Sequence, residues 1–298
     1  MNDVHEVFSL SGICVPSLKN LSPCVTITTI ITDTGIERRD SMYQFESRVR
    51  YSEVDSERHL TLPAVMDYLQ DCCTFQSEDM NIGVEYLAEQ KQAWVLSSWE
   101  IKIRRYPVMG EKICVETWPY AFKGFYGYRN FRITNGQGEE LVLANSVWVY
   151  MDMERMRPMR IPEKVADAYR PEIGEELPGE WGARKLSVPE GGTEMPPVPV
   201  AGFFIDTNHH MNNGKYILVA KESVPEDFAI GGVRAEYRRA AMLGDVLYPV
   251  VAVAEEKITG LALSTCPRSC SPCLDFLSIS ASRGFSGIPT SRCSIPLA

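Results

Sequence analysis

Long apolar runs are missing from this chain of 298 residues, and none reaches the length that a membrane-crossing helix needs. Positive charge is also in short supply. Against 39 Asp and Glu stand 30 Lys and Arg, a net charge of −9. That balance argues against a general nucleic-acid binder, because neutralising phosphates takes an excess of cations. A local basic patch stays open, since Arg104, Arg105, Lys123, Arg129 and Arg132 fall in one stretch. Cysteine is scarce where a core would be. Of nine, only Cys72, Cys73 and Cys114 lie between residues 42 and 263, which suits a reducing compartment and a fold that needs no disulfides. Residues 1–41 lack a clear amphipathic period. The apolar stretch 25–31 has no charged segment before it, and the region is too acidic and too poor in Arg for a transit peptide. The regular pattern begins near Met42, a natural first residue.

Residues 264–298 are of a different composition. Nine serines, four cysteines and four prolines share 35 residues with one acidic side chain, Asp275. Cys266, Cys270 and Cys273 have a spacing used to hold iron–sulfur clusters, but too little chain follows to build a barrel around one. A tail without a packed core is the expectation, and both ends of the chain read as foreign to the middle.

What the chain does contain is an internal repeat. Residues 54–60 (VDSERHL) and 205–211 (IDTNHHM) share D-x-x-x-H between apolar residues. Residues 104–111 (RRYPVMGE) and 238–245 (RRAAMLGD) follow in the same order. In the first copy the alternation at 45–51 reads as a strand, and a helix opens at Thr61 or Leu62 with Val65, Leu69, Cys72, Cys73 and Phe75 on its buried face. Strands follow at 94–104 and 112–118, then a hairpin, 122–133 and 141–151, around Asn135-Gly136. The second copy gives a strand at 198–205, the loop 206–210, a helix at 212–222, and strands at 233–241 and 246–255. Nothing after Leu261 matches the last two strands of the first copy, so the second is expected to be short of them. The fold class is α+β, with each unit a long helix wrapped by an antiparallel sheet. The expected boundaries are an atypical extension 1–41, a first unit 42–153, a Pro-, Gly- and Glu-rich linker 154–192 with one helical turn near 162–169, a second unit 193–263, and the tail 264–298.

Several segments, taken together and in order, resemble the acyl-carrier-protein thioesterases. They are Trp94–Trp99 (WVLSSW), Arg105-Tyr106-Pro107 with Gly110, Thr117-Trp118-Pro119, residues 124–131 (GFYGYRNF), 144–148 (ANSVW), Arg160-Ile161-Pro162, and residues 206–213 followed by Tyr216. The resemblance covers about residues 42–263. It implies a tandem pair of hotdog domains and hydrolysis of acyl-ACP to free fatty acid, ending fatty-acid synthesis. The second-copy loop matches the family's D-x-N-x-H-x-N-N in full, so the resemblance gives Asp206, Asn208 and His210 as catalytic. Plant members carry Glu and Cys after Tyr-Arg-Arg, where this chain has Ala240 and Ala241, which leaves the identity of the base open.

The residues themselves suit the reaction. Thioester hydrolysis needs an activated water and an oxyanion stabiliser. Asp206 or His210 can serve the water and Asn208 can position it or the thioester. Backbone N–H groups around Asn212 and Asn213 open a helix and can meet the oxyanion. Asp206 and Asn208 would also serve as plain turn and cap residues. His209 reads as a bystander, and Asp55 and His59 as a structural relic because Glu57 replaces the Asn. Trp94, Trp99, Trp118 and Trp148 read as core or acyl-pocket walls. Because acyl carrier protein is acidic, Arg104, Arg105, Arg129 and Arg132 are the candidate docking surface. No metal and no cofactor is expected, and neither is nucleic acid. The acyl carrier, loaded through phosphopantetheine, is the expected partner, in a bacterial cytoplasm. The alternatives are an acyl-CoA thioesterase and a non-catalytic acyl-binding or inactivated relative.

Overall fold

The computed structural model describes residues 42–182, 184–186, 192–223, 230–254, 257–265 and 277–283. The first unit runs β1 (Tyr43–Arg48), α1 (Leu62–Asp79), α2 (Val84–Glu89), β2 (Gln92–Ile103), β3 (Lys112–Lys123), β4 (Tyr126–Asn135) and β5 (Glu140–Asp152). A connecting stretch holds β6 (Arg157–Pro158) and α3 (Glu163–Tyr169). The second unit runs β7 (Thr193–Glu194), β8 (Val198–Pro199), α4 (Asn213–Glu222), β9 (Ile230–Tyr237), β10 (Val246–Ala254), β11 (Lys257–Ser264) and β12 (Leu277–Arg283).

The strands form one antiparallel sheet in the order β1-β3-β4-β5-β2-β9-β12-β11-β10-β7. The second five mirror the first five about the β2–β9 seam. A shift of 151 residues carries Asp55 onto Asp206 and α1 onto α4, and a shift of 134 carries Gly110 onto Gly244. Local backbone bonds are copied with the sequence. The Asp55 N–H donates to the His59 carbonyl at 2.9 Å, and Asp206 to His210 at 2.9 Å. Gly110 donates to Val49 and Gly244 to Val200. Arg58 and His209 both take left-handed φ, 65° and 61°, and Gly110 and Gly244 take 83° and 89°. Glycine adopts that region without strain, which is why it recurs there.

At the seam Glu100 pairs with Arg234, its own counterpart under the 134-residue shift. The approximate two-fold axis therefore passes through this pair, and the charges are opposite, with Arg234 Nε 3.5 Å from Glu100 Oε2.

One difference between the copies explains another. The Ala241 N–H donates to Tyr216 Oη at 2.7 Å in a buried setting. The matching residues in the first unit are Pro107, which has no N–H, and Val65, which has no acceptor. Tyr216→Phe is thus expected to strand a buried donor and cost about 1–3 kcal/mol in chemical denaturation. Adding Ala241→Pro should recover part of that loss; an equal loss in the double variant would refute the pairing.

α1 begins with Thr61 Oγ1 accepting from Ala64 N–H, and packs Val65, Leu69 and Cys72 into the core with Phe131 and Ile133 from β4. Phe75, expected on that buried face, is 44% exposed and meets Phe45 edge-on. The connecting stretch is more than a linker, because Ile161, Val165 and Tyr169 pack against Tyr150 and Leu87 as a second buried cluster. The expectation that the second unit lacks its last strands is corrected. β12 lies inside the atypical tail, pairs with β9 and β11, and takes the place that β5 holds in the first unit. Cys266, Cys270, Cys273 and residues 1–41 lie outside the described residues. Among the described residues, no helix is long and apolar enough to cross a membrane.

Candidate active site

The loop before α4 is a tight turn made by its own side chains. The Asp206 Oδ1 atom accepts the Asn208 N–H at 2.8 Å, and Ile205 bridges to Met211. The loop is then fastened to β9's exit and to its own entry. Met211 N–H donates to the Ala241 carbonyl and Asn212 N–H to Phe204. The Asn212 side chain caps α4 by accepting the Gly214 N–H at 2.9 Å. Tyr237 Oη donates to the Asn213 carbonyl at 3.1 Å. Burial pushes the phenols of Tyr216, to about 12, and of Tyr237 upward, so both stay protonated near neutral pH.

A cavity of about 1640 Å³ opens against this loop. That is larger than the roughly 300–1,000 Å³ of a usual small-ligand site. Asp206, Asn208, His210, Asn212 and Asn213 line one side. Trp94, Leu96, Phe122 and Trp148 supply apolar wall from the first unit. Gly127 is where the backbone of β4 must pass under Trp94, since a Cβ there would stand 3.0 Å from the indole. The cavity therefore joins a polar loop from one unit to an apolar recess in the other.

The fold of this pair of units is found in solved thioesterases. An acyl-ACP thioesterase from Bacteroides thetaiotaomicron superposes with a TM-score of 0.70 at 21% identity, covering 80% of this chain and 96% of that one. The 12:0-ACP thioesterase from Umbellularia californica gives 0.68 at 21%, covering 81% and 96%. The fold is the tandem hotdog. In sequence, residues 40–169 match the model of the acyl-ACP thioesterase N-terminal domain. A chloroplastic acyl-[acyl-carrier-protein] hydrolase of Cuphea viscosissima is 26% identical over 254 residues, 80% of this chain. The chain spans 60% of that relative's length.

Within this fold the expected residues separate. Asp206, Asn208 and His210 share one cavity. His209 is exposed at the turn, and Asp55 and His59 do not line the cavity. Of the two backbone candidates for an oxyanion, Asn212 is withdrawn, because its N–H is already given to Phe204 at 2.8 Å. Among the described residues the Asn213 N–H has no acceptor, and it stands at the first turn of α4.

The docking surface needs more correction. Arg129 is 7% exposed; it donates from Nη1 to Gln76 and to Thr117 and lies over the Tyr169 ring. A residue so placed forms cavity wall and faces no partner. Arg132 is held by both oxygens of Glu116, at 2.6 and 3.0 Å. Arg105 is fastened to Glu111 and Glu139. Only Arg104, paired with Glu140, keeps a largely exposed side chain.

Trp94 and Trp148 are cavity walls, whereas Trp99 and Trp118 are buried in the sheet. Cys73 also lines the cavity, but burial pushes its thiol up to about 11, so it stays protonated and unreactive near neutral pH. Cys73→Ala is accordingly expected to leave kcat within about threefold of wild type, since an unionised thiol contributes no nucleophile. A loss of a hundredfold in steady-state hydrolysis would contradict this.

Proposed function

We propose that the chain hydrolyses the thioester of an acyl group carried on acyl carrier protein, releasing free fatty acid. One observation carries this reading: a single cavity joins Asp206, Asn208, His210 and the open start of α4 to an apolar recess walled by Trp94, Leu96, Phe122 and Trp148. The recess takes the hydrocarbon chain, whose burial drives binding. His210, in the turn that Asp206 holds, is the proton-exchanging group of the loop, and Asn208 orients the thioester or the water. The Asn213 N–H, aided by the helix dipole, faces the charge that develops on the carbonyl oxygen.

The names of the relatives support the carrier protein as the thioester's holder, and the exposed Arg104 is the remaining docking candidate among the four arginines. A bacterial cytoplasm suits the free thiols of Cys72, Cys73 and Cys114. The test is a panel of acyl-ACPs of different chain lengths incubated with the full chain, with free fatty acid and free thiol as readouts. Release of both from at least one member is the expected result. Faster turnover of matched acyl-CoAs would favour the acyl-CoA reading. Binding without release would favour an inactive relative, a reading that Ala240 and Ala241 keep alive.

A further inference from the structure

We infer that Asp71, on α1 of the first unit, is the carboxylate that takes the proton of the attacking water. The inference deepens the hydrolase reading and rests on it. Ala240 lines the cavity and Ala241 is buried beside it, so the strand exit after Tyr237 offers neither acid nor nucleophile. Asp206 is tied into its own turn through the Asn208 N–H. Asp55 makes the same bond to Glu57, at 3.0 Å, in a loop that does not line the cavity. That bond is therefore explained by the turn alone.

Asp71 enters the cavity from the opposite unit, with Gln70 and Thr74 beside it. Its placement follows from how the helices cross. A Cβ on Gly214, at the start of α4, would stand 3.1 Å from Asp67 Oδ1. Asp71 is one turn further along α1, about 6 Å at 1.5 Å per residue. That stretch of α1 lines the same cavity as the loop that holds His210. Among the described residues its carboxylate accepts no hydrogen bond and makes no ion pair. Its side chain is exposed to solvent on one side, yet partial desolvation, and secondly the Asp67 charge, raise its proton affinity above that of an ordinary Asp, which makes it a better base. Arg50 opposes that shift and Glu53 adds to it, and the other charged groups of the cavity lining include Asp206, His210, Arg238 and Arg239.

In the step, the water oxygen bonds to the carbonyl carbon and its proton passes to Asp71. The C–S electron pair leaves on sulfur, and His210 supplies a proton to give the thiol. Asp71 then returns its proton to His210 through water, so one water is consumed and acid and thiol are formed.

The experiment uses the full chain and an acyl-ACP that the wild type turns over. Asp71→Asn should lower kcat by about 100-fold or more, the usual weight of general-base catalysis, with KM changed less than about threefold. Asp71→Glu should recover at least about a tenth of the lost rate, since it keeps the basic group. In wild type, kcat/KM should fall as pH drops through the Asp71 titration, and this limb should vanish in Asp71→Asn. An Asp71→Asn enzyme with near-wild-type kcat and an intact acid limb overturns the inference while leaving the hydrolase reading in place. A wild type that releases no fatty acid from any acyl-ACP or acyl-CoA overturns both.

Discussion

His210→Ala is expected to lower kcat/KM for acyl-ACP by about 10²–10⁴-fold, the range for removing a general acid–base group. That is about 3–5 kcal/mol of transition-state stabilisation. The loop should survive the change. His210 enters the turn through its carbonyl, which accepts the Asp206 N–H at 2.9 Å, and alanine keeps that carbonyl. The apolar fastening on either side, Ile205 to Met211, is also untouched. The effect should therefore be chemical, with an unchanged melting temperature and circular dichroism spectrum. His59→Ala is a built-in control. It removes the same side chain from the duplicated turn, away from the cavity, and should leave turnover within about twofold, as surface changes distant from a site do. Equal losses in both variants would mean that the two turns serve folding alone.

Arg129→Glu is expected to cost about 3–5 kcal/mol, the scale for leaving a buried charge uncompensated. The substitution would set a carboxylate among Gln76, Thr117 and Tyr169, and Gln76 in turn donates to Glu172. A fall in melting temperature of about 10 °C follows, taking roughly 2–4 °C per kcal/mol at this size. Arg104→Glu should differ sharply. Its side chain is 60% exposed, and its pair with Glu140 is a surface contact worth less than about 1 kcal/mol. That variant should melt like wild type and raise KM for acyl-ACP more than for acyl-CoA. If Arg129→Glu melts like wild type, its side chain does not occupy the buried position described.

Much of this was written in the chain because the duplicated backbone imposes the same demands twice. The turn needs an Asp to hold an amide, the strand exit needs glycine at positive φ, and both recur at constant shifts. The loop residues of the site were legible for that reason. The arginines were misread because proximity in sequence is not proximity on a surface. Along β4 every second residue faces the core, and Arg129 shares that face with Phe131 and Ile133. The period of two already said as much. β12 carried the same signal, alternating Leu277, Ile279 and Ala281 with serines, but the Ser-, Cys- and Pro-rich flanks hid it. Asp71 could not be found from periodicity. It sits on the polar edge of α1, and only the packing of α1 beside α4 makes that edge part of the cavity that the second unit's loop also lines.

The Glu100–Arg234 contact decides what each half would do if made alone. A free-standing first unit would have only its own copies to pair with along β2. Its strand centre would then set one Glu100 directly across from another, and like charges facing each other across a ladder repel. Separate halves should therefore seek the unlike partner over self-association, which makes reconstitution from two co-expressed fragments a heterotypic process.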